Sequence, residues 1–188
     1  MRSALRILLV TLMTLSWAGC ARVNHESSTE APSLDAQNPA QFAAAILSET
    51  NRVRVQFRLR PLKSLPDLDL AADDQASYMA LQLNADHGNA FFGEATPEDR
   101  VRRRGLLPKS VAENVASIAV APTAKPRTTS EIAAALVEAW MNSPGHRANL
   151  LNPHFTHLGA SARIAHATGA WYAFGAQDFV ELADRAFP

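Results

Sequence analysis

The chain has 188 residues, 47% of them hydrophobic, and a formal charge of zero from 18 basic and 18 acidic side chains. Without its ends it is one domain's worth of sequence, long enough to bury a real core. The charge balance, and the lack of any aromatic-basic patch, argue against nucleic acid as a partner.

The N-terminus reads as a targeting segment. Arg2 and Arg6 precede an apolar run, Ile7 to Trp17, and the small residues Ala18-Gly19 lead to Cys20. The pattern predicts an export signal over residues 1–19, too short to span a membrane as a helix. Cys20 is the only cysteine. Its position resembles the lipobox of bacterial lipoproteins, with Trp17 where that motif usually has Leu. The resemblance implies lipidation at Cys20 and a membrane-anchored protein of the cell envelope. The alternative is an ordinary cleaved signal and a secreted soluble protein. Loss of the signal removes two arginines and no acid, leaving 16 basic against 18 acidic side chains, a formal charge of −2. With its one thiol removed or acylated, the chain forms no internal disulfide. Residues 20–37 are then the modified cysteine and a polar tether, containing Ser27-Ser28-Thr29 and Pro32.

The domain is expected over residues 38–182, with a tail at 183–188. Asn38-Pro39 supplies a cap and a first helical position, and the spacing predicts a helix to about Gln56. Phe42, Ile46, Leu47, Val53 and Phe57 form its apolar stripe, and Arg52, Arg54 and Arg58 its solvated face. A second helix is predicted from Pro66-Asp67 to about Asp86. Leu68, Ala72, Ala76, Met79 and Leu83 would be its buried face, and His87-Gly88 would close it. Thr96-Pro97-Glu98-Asp99 starts a short third helix that stops at Arg104-Gly105. Val111 to Val120 is an apolar run interrupted by Glu113-Asn114. Ala121 to Thr129, with Pro122 and Pro126, reads as a surface loop.

A fourth helix begins near Thr129-Ser130. Ile132, Leu136 and Trp140 recur every four residues and share one face. Ser143-Pro144 restarts the chain as cap and first position of a short helix to Leu150, with His146 in its first turn. Asn152-Pro153 ends it. Gly159 to Ala165 alternates, His166 to Gly169 is a turn, and Ala170 to Val180 is rich in aromatics, a pattern that predicts a β-hairpin. Helices first and strands last argue an α+β fold.

Three groups stand out as chemistry: His87, Glu113 and His146. A carboxylate inside an apolar run rarely sits there without a partner. Two imidazoles and a carboxylate could hold a metal ion or orient a water. Trp140, Phe155, Trp171, Tyr172 and Phe174 read as packing. His154 and His157 flank Phe155 near a possible cavity mouth, and His166 reads as solvated. His87, at the expected C-terminal end of the second helix, should take its proton at higher pH than His146 in a first turn. His146 would then stay neutral at pH 7 and be the better metal ligand.

From Ala43 to Phe179 the chain resembles the CAP superfamily, also called the SCP domain, which includes cysteine-rich secretory, antigen-five and pathogenesis-related proteins. ILSETNRVRVQFRLRPL is similar to that family's first helix and its exit. Ala112-Glu113-Asn114-Val115 resembles its Gly-Glu-Asn-Ile element. WMNSPGHRANLLNPHFTHLGASA resembles the bacterial branch, and AWYAFGAQDF the terminal strand. The resemblance implies an α-β-α sandwich with a small, mainly antiparallel sheet between helical layers. It also implies a cavity lined by His87, Glu113, Asn114 and His146. A second cavity acid, expected just after Trp140, is missing, since the chain there reads Met141-Asn142-Ser143. A divalent ion such as zinc would rely on His87 and His146, and no cofactor is required.

The expected function is a tethered binding module for a small ligand, lipid, ion or cell-envelope component. The competing reading is a metal-assisted or His/Glu-dependent hydrolase of peptide or ester bonds. No nucleophile favours it: neither Ser110 nor Ser143 sits in a nucleophile elbow, and Ser143 reads as a cap.

Overall fold

The structure is a computed structural model that describes residues 38–90, 93, 96–121 and 128–182. The export signal, Cys20, the tether and the tail lie outside the described residues. Among the described residues, five helices and four strands follow in the order α1 (Pro39–Gln56), β1 (Lys63–Ser64), α2 (Pro66–Gln82), α3 (Pro97–Arg103), β2 (Pro108–Ala121), α4 (Thr129–Asn142), α5 (Pro144–Leu150), β3 (His157–Ala167) and β4 (Ala170–Leu182). The sheet order is β1-β3-β4-β2. Both long pairings are antiparallel, and only the two-residue β1 runs parallel to β3.

Strand alternation divides the core into two layers. On one face Leu158, Ala160, Ala162, Ala173 and Phe179 pack under α1, α4 and α5, with Ile132, Leu136 and Trp140 fully buried. On the other, Phe174 and Ala176 meet Ala72, Ala76 and Met79 of α2, while Val180 meets Leu68 and Val101 of α3. The result is an α-β-α sandwich.

Capping sets the helix starts. The Asn38 side chain accepts from the backbone N–H groups of Ala40 and Gln41. Thr96 with Asp99, and Thr128 with Glu131, form capping boxes. Ser143 stands at the N-cap of α5 but makes no capping bond with its side chain. Pro144 at the first helical position starts that helix without it.

Two glycines allow close approach. A Cβ on Gly159 would lie 2.2 Å from the Leu68 carbonyl carbon, so α2 can seat on β3 only over a bare backbone. One on Gly175 would meet Leu136 of α4 at 2.7 Å. Thr168 and Gly169 at the hairpin tip have φ of 49° and 80°. Both are positive, as a two-residue type I′ turn requires.

Three expectations from the sequence are corrected, and one apolar run that carried no assignment proves to be a strand. Helix α2 stops at Gln82, because Leu83 turns left-handed with φ of 53°. Leu83 is therefore 48% exposed, and His87 sits in a loop instead of closing the helix. Phe57 is also half exposed, lying beyond the last turn of α1 under the Arg147 guanidinium. The run from Val111 to Val120 is the edge strand β2. Arg54 is buried, not solvated. It follows Ile46 and Thr50 at intervals of four, on the inward stripe of α1.

Candidate functional site

The site forms along β2, where the two helical layers come together. Glu113 and Asn114 are successive residues, so their side chains leave opposite faces of the sheet. Glu113 points to the α2/α3 layer and Asn114 to the α1/α4/α5 layer. Each anchors one histidine.

His87 is held from the α2/α3 side. Its Nδ1 lies 2.8 Å from Glu113 Oε1. The other Glu113 oxygen accepts from Arg100 Nη2, and Arg100 Nη1 donates to the His87 carbonyl at 3.2 Å. The Arg100 and Glu113 side chains are almost completely buried, whereas the His87 side chain is 53% exposed. The arrangement is a buried ion pair carrying a half-exposed imidazole. The Glu113 hydrogen bond raises the His87 pKa above the usual histidine value, against the opposing effect of burial.

His146 is held from the other side through its backbone. Asn114 Nδ2 donates to the His146 carbonyl at 3.1 Å and to Gln177 Oε1 at 3.2 Å. Asn149 donates to Asn114 Oδ1 at 2.9 Å and to the Glu113 carbonyl at 3.3 Å. Gln177 in turn donates to Thr50 of α1 at 2.7 Å. At the far end of α5, the Arg54 guanidinium donates to the carbonyls of Leu150 at 2.7 Å and Asn152 at 3.0 Å. Helix α5 is thus pinned at both ends, which fixes where the His146 ring stands.

The two rings meet with centroids 6.4 Å apart and planes inclined at 56°. Burial, and then the nearby His87, lower the His146 pKa. The two titration directions agree with the expectation from sequence, but the causes differ: burial, not the first turn of α5, opposes the proton on His146. A carboxylate, not a helix end, holds the proton of His87. His87, Glu113 and His146 therefore converge, though Glu113 itself is screened from solvent behind His87. Asn114 is fully buried and serves as the clamp of α5.

The other described histidines stand apart from this pair. His154 is exposed, His157 Nδ1 lies 2.9 Å from Thr156 Oγ1, and His166 packs edge-on to Trp171. A cavity of about 450 Å³ beside His87 is lined by Tyr78, Asp86, Gly88 and Asn89. A larger one of about 600 Å³, mostly apolar, lies between α1 and α2 at Ala160 and Ser161 of β3. It contains neither imidazole.

The donor set does not fit a metal centre of three or more protein ligands. Both Glu113 oxygens are occupied, by His87 and by Arg100. Among the described residues no group of three or more His, Cys, Asp or Glu side chains could hold an ion. What remains is an imidazole pair with one basic and one less basic member.

Sequence reasoning missed Arg100, Asn149, Gln177 and Asp178. Asp178 is wholly buried and lies directly across from Glu113 in the β2/β4 register. An acid does accompany Glu113, but it comes from β4, not from the segment after Trp140.

A small sheet between two helical layers is the α-β-α sandwich expected of an SCP domain. The chain matches the family described as "CAP: Cysteine-rich secretory protein family" over residues 47–175, and it belongs to that family. It is 32% identical over 146 residues to the uncharacterized protein YkwD of Bacillus subtilis, covering 78% of this chain and 50% of that one. It therefore spans about half the length of that relative. Its fold is similar to an extracellular protein containing a SCP domain from Bacillus anthracis, with a TM-score of 0.57 and 24% identity over 76% of this chain and 41% of that one. It is also similar to an outer surface protein from Borrelia burgdorferi, with a TM-score of 0.57 and 20% identity over 76% of this chain and 94% of that one.

Proposed function

We propose that this protein is an extracytoplasmic CAP-domain binding module, tethered to a membrane through lipidated Cys20, whose imidazole cleft takes a small polar ligand of the cell envelope. The observation that carries the reading is the pair of imidazoles 6.4 Å apart, inequivalent in basicity, each fixed by its own buried network. His87 directs its Nδ1 to Glu113, and its Nε2 donates to a ligand oxygen when the ring is protonated and accepts when it is neutral. His146, kept less basic, offers a neutral ring that either accepts or donates. Such a pair suits a ligand that presents neighbouring hydroxyl and carbonyl or carboxylate groups.

Export is supported by the Arg2/Arg6, apolar and Ala18-Gly19-Cys20 pattern. The extracellular and outer-surface descriptions of the Bacillus anthracis and Borrelia proteins point the same way. No helix among the described residues is long and apolar enough to cross a membrane, so attachment would fall to the N-terminus. A hydrolase reading gains little: neither Ser110 nor Ser143 hydrogen-bonds to either imidazole, and Ser110 is exposed.

The test is a titration of the mature chain with soluble wall fragments, followed through both imidazole resonances. Saturable shifts of His87 and His146, lost in His146→Ala, are expected. Zinc titration by calorimetry runs beside it, and tight zinc binding lost in His146→Ala would reassign the cleft to a cation. Turnover of chromogenic esters or peptides, abolished by the same substitution, would replace binding with catalysis. For the tether, Cys20→Ser should move the protein from the membrane fraction to the soluble one. A wild-type protein that is already fully soluble would end the anchor reading.

A further inference from the structure

Glu113 is not the only acid in the layer under α2 and α3. Asp178 faces it across β2 and β4, flanked on its own strand by Ala176 and Val180 and across β3 by Gly159. It is completely buried, no N–H or hydroxyl group donates to either of its oxygens, and its carboxyl lies against that of Glu113. An ionised carboxylate in that position would be an uncompensated charge in an apolar layer. Arg100, the guanidinium that pairs with Glu113, gives its Nη2 to that carboxylate and its Nη1 to the His87 carbonyl, and its buried Nε reaches neither oxygen of Asp178. Two ionised acids would therefore share one guanidinium. The orphaned oxygens of Asp178 have a simple resolution. A carboxyl that keeps its proton is a donor, and Glu113 is the acceptor beside it.

We propose that Asp178 is a positioning residue. It stands in the folded protein as a neutral carboxylic acid that donates its proton to Glu113, so that the two acids form a proton-sharing dyad behind His87. The proton is Asp178's own, retained when the carboxyl leaves solvent. The dyad then carries one negative charge, which Arg100 balances, and His87 adds or loses its proton without leaving a bare charge in the core. The hydrogen bond also orients Glu113, so that one of its oxygens faces Nδ1 of His87.

The charged surroundings agree with this. Burial pushes the Asp178 carboxyl well above the usual range, and the Glu113 charge pushes it further. Arg100 of α3 opposes the rise, and Asp74 of α2, itself paired with Arg104, adds weakly to it. The site resembles acid dyads in which like charges at close range cannot both ionise.

Infrared difference spectroscopy of the full mature chain tests the idea. A protonated-carboxyl band should persist at pH 7, shift when aspartate carries a ¹³C carboxyl, and vanish in Asp178→Asn. Asn keeps the shape and an N–H donor, so that variant should fold and leave the His87 titration near its wild-type position. Should Asp178→Asn not fold, Glu113→Gln carries the test. There Asp178 gains an amide donor and loses the like charge, so its band should titrate away at lower pH than in the wild type. Absence of the band from the wild type at pH 7 would overturn the proposal. So would its persistence in Asp178→Asn, or an unchanged titration in Glu113→Gln.

Discussion

Removing Arg100 should destabilise the domain severely. Its guanidinium is the buried counter-charge to Glu113, with side-chain exposures of 0% and 1%, and it also satisfies the His87 carbonyl. Arg100→Met keeps much of the apolar stem but leaves Glu113 beside Asp178 without its buried counter-charge, with only the half-exposed His87 imidazole against it. Breaking a buried pair from one side costs roughly 3–5 kcal/mol. A domain of this size has only about 5–15 kcal/mol in all. The assay is urea unfolding at pH 7, followed by tryptophan fluorescence, because Trp140 is fully buried. Adding Glu113→Gln to Arg100→Met removes the stranded charge, so the double variant should cost about 2 kcal/mol less than the two single losses summed. The reasoning fails if Arg100→Met costs under about 1 kcal/mol, or if the two losses simply add.

Four further outcomes are expected. In an NMR titration His87 should take its proton at higher pH than His146, because Glu113 supports one imidazolium while burial and His87 oppose the other. With a raised folded pKa, the stability contributed by His87 is complete below the unfolded value near 6.5 and is lost as pH rises through the folded one. An inverted order of the two titrations would contradict the geometry. Asp178 acts likewise: from about pH 4 upward its retained proton costs about 1.4 kcal/mol per pH unit until the folded carboxyl ionises, a slope that Asp178→Asn should remove. Arg54→Met should cost about 2–3 kcal/mol by stranding the carbonyls that close α5. It should also broaden the His146 resonance, whereas a sharp, unshifted signal would show that Arg54 does not hold that helix. Gly159→Ala should lose about 1–3 kcal/mol, because its new methyl meets the Leu68 backbone, and an unchanged melting point would mean that α2 shifts freely.

Local chemistry was enough for much of the frame. Asn38-Pro39, Thr96-Pro97 and Pro144 mark helix starts wherever the chain is placed, because capping and proline geometry act within one turn. Ile132, Leu136 and Trp140 show their buried face by spacing alone. His87, Glu113 and His146 could be named because a carboxylate in an apolar run demands a partner and because the family's motifs carry them. The end of α2 could not be read, since nothing in Leu83 announces a left-handed turn. Thr50 is polar, so the stripe that carries Arg54 inward past Ile46 does not show in the sequence. Two of its three acceptors, moreover, are carbonyls 96 and 98 residues further along the chain.

Pairing across strands decided the rest. Two polar pairs interrupt two apolar strands, Glu113-Asn114 and Gln177-Asp178. Each breaks the pattern for the same reason, yet neither says what it meets. The antiparallel register sets Glu113 against Asp178 on one face and Asn114 against Gln177 on the other. One couple becomes an acid dyad behind His87, and the other becomes the clamp behind His146. A one-residue slip would exchange the faces and undo both. Burial costs are visible in a sequence because they belong to single residues. Their compensation is not, because a hydrogen bond between strands far apart in the chain depends on a register that only the packed sheet fixes.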